Sequence, residues 1–162
     1  MKPKILVAVD GSETSTKAVE YVGDVFSGCE KEVDITLYHV LEVPPMLLEH
    51  GGNVKSAKEM QEEVEKWQER ETDRVETEIF APAERILQER RNGRDGMRIH
   101  AKLADVAYPD VALVIIEEVK EGGYDTLVLG RRGLSMLKEF VFGSLTSKVI
   151  HHSQGCTIWV VE

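Results

Sequence analysis

Residues 5–15 read ILVAVDGSETS: five apolar residues, then Asp10-Gly11-Ser12, then a stretch rich in helix-capping side chains. A short, continuously apolar run that ends in turn residues is the pattern of a strand covered on both faces, as at the centre of a parallel sheet. Ser12, Glu13, Thr14 and Ser15 precede Ala18, Val22, Val25 and Phe26, which recur at helical spacing. The opening is therefore strand, loop, helix. A second such unit lies at Thr126 to Leu129, again continuously apolar, followed by Gly130-Arg131-Arg132-Gly133 and later Gly143-Ser144.

Three further β-rich runs complete the set: Val33 to Val40, Arg98 to Leu103, and Thr157 to Val161. The first two of these alternate more, as strands nearer a sheet edge do. Helical patterns fill the gaps. Val111, Val114, Ile115 and Val119 share a face behind Pro109, a residue suited to a first helical turn, and Leu145, Val149 and Ile150 follow Gly143-Ser144. Strand and helix in alternation imply right-handed crossovers and a doubly wound parallel sheet.

Met46 to Asp95 is the longest connection. Ser56 and Glu59 have capping-box spacing, and Met60, Val64, Trp67, Val75, Ile79, Ala83 and Ile86 form a narrow apolar stripe that Glu71 interrupts. Pro82 is expected to kink or break the helix, because it removes one backbone donor. The expectation is a long, charged, solvated helical crossover at about 46–95; a partner-docking arm is the alternative.

Composition narrows the function. The chain has 162 residues, with 20 Lys plus Arg against 29 Asp plus Glu and a formal charge of -9. That size suits a single domain, and that charge argues against a nucleic-acid partner, whose phosphates need a basic face. No apolar run approaches the ~20 residues of a membrane span. The five apolar residues before Asp10 are too few for a signal-peptide core, and Cys29 and Cys156 form no disulfide framework, so a cytoplasmic setting is expected. No pair of the five histidines has convincing ligand spacing, so no structural zinc is expected.

In an open parallel sheet, ligands bind beyond the carboxyl ends of the strands, where connections leave towards opposite faces. The loops after the first and fourth strands are thus the candidate site. Gly130 and Gly133 remove Cβ atoms, which lets backbone amides approach an anion and makes positive φ accessible. Gly143 and Ser144 stand at a helix start, with its unpaired N–H groups and positive dipole end. The Ser144 hydroxyl could cap that helix or donate to a phosphate. Between residues 131 and 144, Arg131, Arg132 and Lys138 face only Glu139, a net +2 within an acidic chain. Glycines after strands also serve as plain turn residues, and loop arginines are usually solvated. Their convergence with Asp10 on one switch point favours a polyphosphate site. There is no G-x4-GK[ST] and no G-x-G-x-x-G.

The spacing Gly-x2-Gly-x9-Gly-Ser, together with ILVAVDGSETS, TLYHV, YDTLVLGRRG, GSLTSKVIHHS and TIWVV, resembles the universal stress protein family, in its ATP-binding branch. The resemblance spans nearly the whole chain. It implies an adenine nucleotide alpha hydrolase-like fold, a five-stranded parallel sheet of order 3-2-1-4-5 with helices on both faces. It also implies ATP or another adenine nucleotide as ligand, with Mg2+ or Mn2+, in a nucleotide-dependent regulatory or stress-response protein. By position, Asp10 matches the acidic residue that meets the nucleoside or its metal-bound phosphates, and Ala8 lines the same wall. Val40 matches the position whose backbone reads the adenine edge. Leu129 and Gly130 match positions beneath the ribose and first phosphate, and Arg132, Gly133, Gly143, Ser144 and Leu145 those around the phosphates. A homodimer joined through the last strand, Cys156 to Val161, is implied too, and Trp159 on that strand is a candidate for a buried contact across the interface. A slow ATPase or phosphotransferase at the same site is the alternative within this reading, a non-nucleotide dimeric scaffold the one outside it. The chain departs from the family at Ala104 to Pro109, where a glycine-proline turn is common.

Overall fold

A computed structural model of the chain describes residues 2–29, 32–44, 47, 56–91, 96–104, 110–131 and 143–162. Five strands form one sheet: β1 (Lys4–Ala8), β2 (Val33–Val40), β3 (Met97–Ala104), β4 (Thr126–Gly130) and β5 (Thr157–Val161). Their order is β3-β2-β1-β4-β5 and every pairing is parallel. This is the expected doubly wound arrangement. The chain moves from β1 outward to β2 and β3, then returns across the sheet to β4 and β5. Right-handed crossovers therefore send the earlier helices to one face and the later ones to the other.

The apolar run of β1 divides between those faces. Ile5 and Val7 pack with Ile35, Leu37 and Val128 beneath α1 (Glu13–Ser27), through Ala18, Val19 and Val22. Leu6 joins Tyr38, Val40, Leu127 and Leu129 on the opposite face, under Ala112, Ile115 and Val119 of α4 (Val111–Gly122) and Val149 of α5 (Ser144–His152). A central strand needs apolar residues at every position for this reason.

The long crossover is helical from Ala57 to Arg90. It comprises α2 (Ala57–Val75), a π-helical turn (Glu76–Phe80) and α3 (Ala81–Arg90). The Ser56–Glu59 capping box is present, with Glu59 Oε2 2.7 Å from the Ser56 amide. Pro82, expected to kink or break the helix, does not break it. The Ala81 amide donates to the Glu76 carbonyl, five residues back, so the turn widens just before the proline. Pro82 then occupies the first turn of α3, where a missing N–H costs little.

The inserted residue also steps the buried seam sideways. Val75 is buried before the turn, Ile79 and Phe80 within it, and Ala83 and Leu87 beyond, so Leu87 is fully buried while Ile86, from the expected stripe, packs partly buried against the same core. A second correction concerns α4. Asp110 is its N-cap, accepting from the Leu113 amide, so the helix starts after Pro109, which itself lies outside the described residues.

Candidate functional site

A cleft of about 440 Å³ opens at the carboxyl ends of β1, β2 and β4. It is lined by Ala8, Asp10, Val40, Leu129, Gly130, Gly143, Ser144 and Leu145 together. The topology thus gathers residues far apart in sequence at the point where connections leave β1 and β4 for opposite faces. Arg132 and Gly133 lie outside the described residues, as does the Asp105 to Pro109 segment.

The first loop is shaped by its own hydrogen bonds. Asp10 Oδ1 accepts from the Ser12 amide at 2.9 Å across Gly11, whose φ of 78° is left-handed. Ser12 caps α1, its hydroxyl accepting from the Ser15 amide at 3.2 Å. The Asp10 carboxylate is thereby fixed at the cleft floor by a side-chain turn that a longer acid would not close.

Gly130 serves a purpose the motif does not suggest. A Cβ there would sit 2.7 Å from Thr14 Oγ1, 2.8 Å from the Thr14 carbonyl carbon and 2.9 Å from the Ser15 amide nitrogen. The residue is glycine because the first turn of α1 crosses directly over the end of β4. Its φ is not positive: among the described glycines only Gly11, Gly123 and Gly155 have that conformation.

The β4–α5 wall is tied down at three points. Thr146 Oγ1 donates to the Gly130 carbonyl at 3.0 Å, the Gly143 amide donates to the Arg131 carbonyl at 3.0 Å, and the Arg131 amide donates to the Val161 carbonyl. The Gly143 amide is thus already paired, contrary to expectation. Gly143 is the N-cap of α5 and supplies no side-chain cap, so Ser144 is the first helical residue and its hydroxyl is not the cap. The amides of Ser144, Leu145 and Thr146 are those a helix leaves without an internal carbonyl, and Ser144 and Leu145 line the cleft. The Arg131 guanidinium meets Glu162 at 2.6 Å, so its charge is balanced locally rather than given to the cleft. Asp110 pairs with Lys148, which joins α4 to α5 beside this wall and holds the Asp110 carboxyl below its usual range.

The opposite wall comes from residues outside the motif. Trp67, Glu71 and Arg74 of α2 line the cleft, one above another at helical spacing, with His39 and Glu42. Glu71, which breaks the apolar stripe in the sequence, does so because it faces this space. Arg74 Nε and Nη2 each donate to Glu71 Oε2 at 2.8 Å, and Nη1 lies 3.6 Å from Glu78.

His39 places Nδ1 2.6 Å from the Val9 carbonyl, and its ring meets Phe80 edge-on with centroids 6.5 Å apart. A carbonyl only accepts, so Nδ1 carries the proton and Nε2 of the neutral ring is an acceptor. Burial pushes the imidazole below its ordinary 6.5; Arg74 adds to this, while the Val9 bond and Asp10 oppose it. Tyr38 is pushed up to about 12, chiefly by burial and then by Glu118, so its phenol keeps its proton.

Fold and site together define a doubly wound α/β protein of the adenine nucleotide alpha hydrolase-like type, with a cleft at the switch point. The sequence profile of the Universal stress protein family matches residues 1–162. The chain belongs to the universal stress protein family. It is 27% identical over 161 residues to Universal stress protein YxiE of Bacillus subtilis (strain 168), covering 98% of both chains. Its structure is similar to that of hypothetical protein MJ0577, with a TM-score of 0.75 and 25% identity over 99% of this chain and 96% of that one. Universal stress protein UspA from Lactobacillus plantarum shares the fold at a TM-score of 0.71 and 18% identity, over 99% and 97% of the two chains. Also alike in fold are a universal stress protein solved in complex with cAMP and one from Archaeoglobus fulgidus in complex with dAMP, each at a TM-score of 0.54.

Proposed function

We propose that this chain binds an adenine nucleotide, ATP in its expected form, and acts as a nucleotide-dependent regulatory or stress-response protein. The observation that carries the reading is the cleft itself: the amide end of α5 at Ser144 and Leu145, the Asp10 carboxylate and the end of β2 at Val40 line one space. A helix start offers fixed N–H donors and a positive dipole to a phosphate tail. Val40 closes β2 at the apolar side of the cleft, beside Val111 and Ile115, where a base can be sandwiched. About 440 Å³ falls within the range of small-molecule sites. The cAMP and dAMP complexes of similarly folded universal stress proteins support the same ligand class.

A divalent ion, Mg2+ or Mn2+, belongs to the proposal as a companion of the nucleotide. Among the described residues no group of three or more His, Cys, Asp or Glu is placed to hold a metal. One carboxylate, Asp10, does line the cleft, and Mg2+ is ordinarily held by one or two carboxylates with phosphates and water. Asp10 would therefore hold the ion, with the remaining positions left to nucleotide and solvent.

Two further parts of the proposal concern setting and assembly. β5 hydrogen-bonds only to β4 within the described sheet, so its outer edge can accept a second copy. Trp159 packs within its own chain, edge-on to Tyr21 and stacked on Phe26, so it would support that edge from behind rather than bridge two subunits. Cys29 and Cys156 are free thiols, in keeping with a cytoplasmic setting, and no described helix is long and apolar enough to cross a membrane.

Equilibrium dialysis with ATP and magnesium tests the reading, using Gly143→Asp as the discriminating variant. Aspartate is a favoured N-cap and suits the φ of -63° and ψ of 159° at this position, so the α5 backbone accommodates the variant. The new carboxylate repels a phosphate, and a tenfold or greater loss of ATP affinity is expected. Absence of saturable binding to the wild-type chain at millimolar ATP would end the proposal.

A further inference from the structure

The cleft is chemically two-sided. The α5 wall offers amide donors at Ser144 and Leu145. The opposite wall, where α2 faces the end of β2, is built largely of acceptors: the carboxylates of Glu42 and Glu71, and Nε2 of His39. Arg74 is the one cation among the described lining residues, and it is already engaged with Glu71 and Glu78. A phosphate placed on this side would meet net negative charge. A hydroxyl would meet well-prepared partners.

Glu71 is the best prepared of them. Both close contacts from Arg74 fall on Oε2, so the guanidinium fixes the carboxylate while Oε1 takes no part in that clamp. The π turn, with its extra residue, sets the rotation of α2 that brings Trp67, Glu71 and Arg74 to the cleft while Phe80, Ala83 and Leu87 stay in the core. Removing that residue would turn one half against the other by about 100°.

From this asymmetry we infer that Glu71, held by Arg74, is a specificity-determining acceptor for the vicinal hydroxyls of a ribose. In this chain, through Glu71, the cleft then selects ribonucleotides over deoxyribonucleotides, whereas a similarly folded universal stress protein has been solved with dAMP. This rests on the nucleotide-binding reading above and adds a residue and a selectivity to it. Carboxylates at switch-point sites accept from ribose hydroxyls in the same manner. A site that hydrogen-bonds a hydroxyl rejects the analogue lacking it, because its acceptor is left desolvated and unpaired.

The experiment compares the affinities of ATP, 2′-deoxy-ATP and 3′-deoxy-ATP for the full chain, with Mg2+, in wild type, Glu71→Ala, Glu71→Gln and Arg74→Ala. Wild type should bind ATP about 10-fold or more tightly than at least one deoxy form. Glu71→Ala should bring ATP affinity down to that of the deoxy forms and erase the ratio. Glu71→Gln, which keeps one carbonyl acceptor, should retain part of it, and Arg74→Ala should reduce it by freeing the carboxylate. Equal wild-type affinity for all three nucleotides would overturn the inference, as would a Glu71→Ala variant that weakens all three by the same factor. Failure of every nucleotide to bind is a different result: it removes the nucleotide reading, and this inference with it.

Discussion

Replacing Gly130 by alanine adds one methyl group at the most crowded crossing near the cleft. The new Cβ would lie 2.7 Å from Thr14 Oγ1 and under 3.0 Å from two backbone atoms of Thr14 and Ser15. Ordinary contacts begin at 3.4 Å, so the first turn of α1 must retreat by several tenths of an ångström. That turn has little freedom, because Ser12 caps it, Ser15 Oγ donates back to the Ser12 carbonyl at 3.0 Å, and Gly11 leads into it at positive φ. Overpacking of this kind costs about 1–3 kcal/mol. In a chain of this size each kcal/mol lowers Tm by roughly 2–4 °C.

Gly28→Ala is the matched control: its added Cβ meets nothing within 4 Å and its φ is -98°. It should stay within about 0.5 kcal/mol of wild type. Urea unfolding of both variants at 25 °C, with unchanged m-values, gives the comparison. If Gly130→Ala proves as stable as Gly28→Ala, the packing account of this glycine is wrong. The residue would then be left with the anion-approach role that the motif suggests.

His39 and Thr77 carry the remaining predictions. The His39 pKa is depressed in the folded chain, so between that value and 6.5 the unfolded chain binds the extra proton; its contribution is intact above pH 6.5 and is lost as pH falls below it. An NMR titration should show the His39 ring midpoint below 6.5, and His39→Asn should flatten the fall in stability over that window; a midpoint at or above 6.5 contradicts the burial argument. Deleting Thr77 from the π turn forces a choice between burying Val75 and burying Phe80 and Leu87, all now in one core. The loss should be at least about 2 kcal/mol in urea unfolding, the scale of vacating a large core position. Wild-type stability in the deletion would mean that the turn does not phase the two halves of the crossover.

The elements and their caps were legible because they are written in local periods. Ile5 to Val9 and Thr126 to Leu129 read as central strands since each side chain has a sheet face to bury on, and β1 and β4 indeed lie inside the sheet. Ser12 and the Ser56–Glu59 pair read as helix starts because a cap acts over three residues. Much of the cleft was legible for a similar reason: Asp10, Leu129, Gly130, Gly143, Ser144 and Leu145 sit where strands end and helices begin, and such ends must face the switch point in any doubly wound sheet.

Other features depended on chain segments meeting at a distance. Glu71 looked like a flaw in an apolar stripe, and only the docking of α2, phased by one inserted residue in the π turn, makes it a cleft residue. Pro82 alone predicts a kink or a break, whereas the π turn before it keeps the helix running. Sequence places His39 only within the Val33 to Val40 run; the Val9 carbonyl that fixes its proton and the Phe80 ring it meets edge-on come from other segments of the chain. Gly130 has the clearest lesson: its place in the motif belongs to sequence, but its need to be glycine comes from the backbone of Thr14 and Ser15, more than a hundred residues earlier. Periodicity is a property of neighbours along the chain. Which helix crosses which strand end, and how closely, is set by packing the whole molecule.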